Sequence, residues 1–95
     1  MGRTQIEVRS AGGGEPIEFE VTLRENKSET RHRVTLARAD HARLAAGRPP
    51  EKLVEAAFRF LLDREPKESI LARFDLMVIA RYFPEFEREI GRYLS

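Results

Sequence analysis

The chain has 95 residues, of which 41% are apolar and 35% charged, with 17 basic and 16 acidic side chains and a net charge of +1. That length suits one domain with a real core, and the near-balance of charge among periodic apolar blocks excludes a disordered polyelectrolyte. There is no cysteine, which excludes disulfides and thiolate metal sites, and no apolar run approaches the roughly 18 residues of a membrane span.

The amino terminus carries no signal-peptide h-region, so the expected setting is cytoplasmic and reducing. In "TQIEVRS", Ile6 and Val8 share one side of a weak first strand. "SAGGGEP" then punctuates, and residues 10–15 are expected to form a flexible loop. "PIEFEVTLR" alternates cleanly: Ile17, Phe19, Val21 and Leu23 take one face and Glu18, Glu20, Thr22 and Arg24 the other, the period of a half-buried strand. In "TRHRVTLA", His32, Val34 and Leu36 oppose Arg31, Arg33 and Thr35. Paired residues share a face, so Val21 can meet His32 or Val34. The first choice sets Glu20 against Arg33 and Arg24 against Glu29, around a loop at Glu25–Ser28. The second sets Arg24 against Arg31, a like-charge pair, and is rejected. The sheet is expected over residues 3–37 as an antiparallel pair or three-stranded meander.

The helical half is expected over residues 40–95. Asp40 is a candidate N-cap and Gly47 a candidate C′ residue for "HARLAA". Pro50 suits the first turn of "PEKLVEAAFRFLLDR", whose apolar residues cover more than half its circumference around a strip of Lys52, Glu55, Arg59 and Asp63. Pro66 ends that helix, and "PKESILARF" reads as a third helix presenting Ile70, Leu71 and Phe74. Asp75 is placed to cap "LMVIARYF", and Pro84 stops it and opens "PEFEREIGRYL", with an apolar stripe at Phe86, Ile90, Tyr93 and Leu94. Four or five short helices on one sheet face complete a single α+β domain over residues 1–95.

Two surfaces could carry function. Apolar area left over from the helices marks an interface, with Phe74, Met77, Tyr82, Phe86, Ile90 and Tyr93 as its candidates and a homodimer as its simplest form. The segment from Arg24 to Arg48 is the one basic excess in the chain, and Arg31, Arg33, Arg38 and Arg43 are candidates for nucleic-acid contact. Against it, Glu18, Glu20 and Glu29 lie across the hairpin, and no outward aromatic offers a stacking platform. His32 reads as a core-rim residue and His41 as solvated, which leaves no metal site, and the glycines at 12–14 precede a strand rather than the helix a phosphate loop needs. Ser10, Ser28, Ser69 and Ser95 lack an activating context. No catalytic residue, cofactor or metal is expected.

A strand with outward Arg31, Arg33 and Thr35 followed by two helices, over residues 30–64, resembles the ribbon-helix-helix repressors. That resemblance implies paired strands from two subunits in a DNA major groove, with no DNA-reading residue carried over. "EKLVEAAFRFLLDREPKESILARFDLMVIARYFPEFEREI" is similar to the helical half of a group of short uncharacterised bacterial proteins, and the likeness extends over residues 16–36. "REPKESIL", "FDL" and "YFPE" carry it. It implies no activity. The leading expectation is a non-enzymatic protein-interaction or self-associating module; the alternative is a regulatory nucleic-acid binder.

Overall fold

Alternation sets the first third of the chain. In the computed structural model, which describes residues 4–94, β1 (Gln5–Gly12), β2 (Ile17–Glu25) and β3 (Ser28–Leu36) form an antiparallel meander. Arg3, at the expected start of the sheet, and Ser95, at the expected end of the helical half, lie outside the described residues. β2 and β3 adopt the register expected from charge, with Val21 opposite His32, Glu20 opposite Arg33 and Arg24 opposite Glu29. The expected four-residue loop is tighter, because Glu25 pairs with Ser28 and only Asn26 and Lys27 turn the chain, Asn26 at φ 56°. Asparagine tolerates that left-handed conformation better than a bulky residue does. The weak first strand is fully part of the sheet and runs through Gly12 with a bulge between Ser10 and Gly12, so the expected loop over 10–15 shortens to the residues after Gly12.

Phe19, Val21, Leu23, Val34 and Leu36 are fully buried on one sheet face, and Ile6 and Val8 pack against them from β1. The helices cover this face. α1 (Arg38–Ala45) starts two residues before Asp40, which therefore sits inside the first turn and pairs with Arg43 at 3.0 Å instead of capping. Gly47 takes φ 85° just past the Ala46 cap, as a C′ glycine should. α2 (Pro50–Leu62) opens on Pro50 and buries Leu53, Val54, Ala56, Ala57, Phe58, Phe60 and Leu61. It ends at Asp63, before Pro66 is reached.

The expected third helix is absent from the fold. A 3-10 turn at Lys67–Ser69 leads instead to β4 (Arg73–Asp75), which lies parallel to β3 and makes the sheet four-stranded in the order β1-β2-β3-β4. The Arg33 amide donates to the Ala72 carbonyl and the Leu76 amide to the Thr35 carbonyl, each at 2.8 Å. The reason is non-local: β3 otherwise ends in unpaired backbone groups, and an extended segment satisfies them where a helix could not. Asp75 belongs to this strand. One carboxylate oxygen accepts from Thr35 Oγ1 at 2.7 Å, the other from the Met77 amide at 3.1 Å. It thereby shapes the turn into α3 (Val78–Tyr82) without being its N-cap, which is Met77. α4 (Phe86–Leu94) follows Pro84 and drives Phe86 and Ile90 into the core.

Two side chains fasten these pieces. The Arg64 guanidinium lies 3.6 Å from the centroid of the Phe60 ring and donates to Glu85 and Glu89 at 3.1 Å, tying the end of α2 to α4. Lys67 is almost wholly buried, with its ammonium on Ser28 Oγ and Glu68 and 3.8 Å from Glu25, so the 3-10 turn is anchored to the β2–β3 hairpin.

Candidate protein-interaction site

Residual apolar surface gathers at the β4 side of the molecule. Among the described residues the exposed large hydrophobic side chains are Leu71 (48% exposed) and Tyr82 (68%), and both rim one cleft of about 270 Å³. Its buried walls are Leu61 from the last turn of α2, Ile70 after the 3-10 turn, and Ile79 from α3. Half-buried Phe74, Val78 and Phe83 complete the lining, and Glu65 and Ser69 form a polar lip. Local geometry explains the exposure: α3 is only five residues long, too short to turn every apolar side chain inward, and Leu71 follows Ile70 with the opposite parity of an extended segment. The cleft is at the lower edge of small-molecule pocket volumes and has few converging polar groups, so it suits apolar side chains.

His32 braces the cleft from behind. It is 5% exposed, with Nδ1 2.7 Å from the Leu71 carbonyl and Nε2 2.9 Å from Thr30 Oγ1. A carbonyl can only accept, so Nδ1 carries a proton, and the neutral ring accepts from Thr30. Burial pulls its pKa below the ordinary value, opposed by the Leu71 carbonyl. Its ring meets Phe58 at 5.5 Å, and Phe58 meets Phe74 at 5.9 Å, so β3, α2 and β4 are held in one aromatic row.

No protein-family model, curated protein or solved structure matches the chain. What the residues can do is therefore read from their placement. Of the expected interface residues, Tyr82 is exposed and Phe74 lines the cleft, whereas Phe86 and Ile90 are core. Tyr93 is half-buried, edge-on to Phe60 at 5.8 Å, with its hydroxyl donating to Asp63 at 2.6 Å. Met77 is half-buried beside Arg43. Leu71 and Val78 belong to the site and were not among the expected members.

The candidate nucleic-acid arginines divide between two places. Arg31 and Arg33 lie on the outer sheet face, where Arg31 pairs with Glu29 at 3.0 Å and Arg33 with Glu20 at 2.7 Å and Glu18 at 3.7 Å. Glu29, bonded by Arg24 and Arg31, is held below the usual carboxylate range. Arg38 and Arg43 are on α1, where Arg38 donates to the Gly13 carbonyl and Arg43 bridges Asp40 and Glu87. β3 is flanked along its length by β2 and, over Arg33–Thr35, by β4. His41 is half-buried and bonded to the Arg48 carbonyl at 2.6 Å. Among the described residues no cluster of three or more His, Asp or Glu side chains is arranged for a metal, and no helix is long and apolar enough to cross a membrane.

Proposed function

We propose that the protein is a non-enzymatic interaction module that seats apolar side chains of a protein partner in the cleft between α2, β4 and α3. The observation that carries this reading is the convergence of Leu71 and Tyr82 on one apolar cleft, when every other large apolar side chain among the described residues is at least half-buried. An apolar concavity with exposed rim residues and a thin polar lip is the chemistry of an anchor pocket rather than of a reaction centre. The nucleic-acid reading ranks second, because Arg31, Arg33, Arg38 and Arg43 are each already engaged and phosphate binding would have to displace those acceptors.

The test is a photoreactive phenylalanine analogue installed at position 82, with the same analogue at Lys52 on the solvent strip of α2 as control. Protein adducts are expected from position 82 alone, and Leu71→Ser should suppress them. Equal yields from both positions, or none from position 82, would refute the assignment.

A further inference from the structure

The geometry points to the partner: we infer that it is a second copy of this chain, joined through β4 in antiparallel pairing about a two-fold axis at Phe74. This rests on the interaction reading above and goes further by fixing the register. β4 is an edge strand. Its bonds to β3 use the Ala72 carbonyl and the Leu76 amide. Backbone groups alternate in direction along a strand, so Phe74 shares their side, while the N–H and C=O of Arg73 and Asp75 point to the open edge.

Two copies can meet at that edge in only a few ways that match outward groups with outward groups. An axis at Arg73 sets Arg73 against Arg73, and an axis at Asp75 sets Asp75 against Asp75; both are like-charge pairs directly opposed. An axis at Phe74 sets each Arg73 against the partner's Asp75, matches all outward groups of both residues, and forms the two closely spaced hydrogen-bonded pairs of an antiparallel ladder. The strand is self-complementary in this register alone.

Charge within one molecule agrees. Arg73 has no ion-pair partner among the described residues, and its neighbour across the parallel ladder is Arg33, which is already held by Glu18 and Glu20. A partner's carboxylate at this place supplies the missing counter-charge. The two Phe74 side chains then lie side by side on the helix-covered face, next to the cleft that Leu71 and Tyr82 rim, so the same contact covers the exposed apolar surface. The opposite edge, β1, is less suited: a bulge interrupts it, Glu7 is engaged by Arg24, and neither exposed large hydrophobic lies there.

The experiment is sedimentation equilibrium on wild type, R73E, D75K and an equimolar mixture of the two variants, up to ~0.5 mM. R73E alone opposes acid to acid and D75K alone opposes base to base, whereas the mixed pair restores opposite charges at both places. Each single variant should weaken dimerisation ~10-fold or more, and the mixture should recover it. Asp75 also holds Thr35 and Met77; should D75K fail to fold, amide exchange on wild type decides, with protection at Arg73 and Asp75 expected to rise with concentration. Wild type that stays monomeric, a dimer indifferent to R73E, folded variants that fail to reunite, or unchanged amide exchange would each overturn the pairing. A monomer that still forms adducts with another protein from position 82 would sink the self-pairing alone; loss of those adducts would sink the interaction reading beneath it.

Discussion

Arg64 is the side chain whose removal should loosen the helical half most for its exposure. It sits just past the end of α2, one face on the Phe60 ring, with Nη1 donating to the Phe60 carbonyl and Nε and Nη2 to Glu85 and Glu89, all at 3.1 Å. Its side chain is 21% exposed and both glutamates 27%, so each ion pair is partly screened and contributes about 0.5 kcal/mol. The stacked guanidinium adds about 0.5–1 kcal/mol, and the buried stem a further fraction. Arg64→Ala should therefore cost about 2 kcal/mol. Arg64→Lys keeps the charge but loses the planar fork that reaches both carboxylates and the carbonyl, and should cost about 1 kcal/mol. Urea unfolding at a single low protein concentration measures this. With a slope of about 1–2 kcal/mol/M, the alanine variant's midpoint should fall by about 1–2 M. A cycle with Phe60→Leu should return a coupling of about 0.5–1 kcal/mol for the stack. A lysine variant indistinguishable from wild type, or no coupling with Phe60, would refute the account.

Further outcomes follow from the same contacts. His32 is held neutral by burial, so between its lowered folded pKa and its unfolded value of about 6.5 the unfolded chain binds more protons. Stability should be complete above that unfolded value and be lost as pH falls through the folded one; His32→Asn should lack this component in urea titrations across pH, and an identical acid slope would refute it. Lys67→Ala should cost about 1–3 kcal/mol through the void it leaves, whereas Lys67→Met should cost less than about 1, because Glu25 and Glu68 remain solvated. Equal losses in thermal midpoint for the two variants would show charge, not packing, to be decisive. Gly47→Ala meets no neighbouring atom within 4 Å, yet its φ of 85° should cost about 1 kcal/mol, read in the same melts.

What could be read from the chain was what its neighbours in sequence decide. The β2–β3 register followed from parity and from setting Arg24 against Glu29, and α2 from its apolar arc with Glu55 and Arg59 one turn apart. β4 could not be read that way, since three residues carry no period and their partner, Arg33–Thr35, lies on the far side of two helices. The same blindness affected the site. Phe86 and Ile90 show the spacing of a stripe whether it faces a core or a partner, and only tertiary packing buries them. Leu71 was visible as an apolar residue, but its exposure depends on the extended backbone after the 3-10 turn, which the helix-like pattern of "PKESILARF" concealed.

The parallel pairing of β3 with β4 should also set an order in time. Antiparallel β1, β2 and β3 can close by local turns, whereas α1 and α2 separate β4 from β3 in the chain, so its loop-closure entropy is spent before its contacts give anything back and it is expected to dock last. Until then the whole of that edge of β3 is bare, and the charged Arg31 and Arg33 should discourage a stray strand from annealing to it. In the native protein β4, held through a ladder of only three residues, is expected to belong to the unit that opens first in hydrogen exchange, and the cleft it lines should open with it.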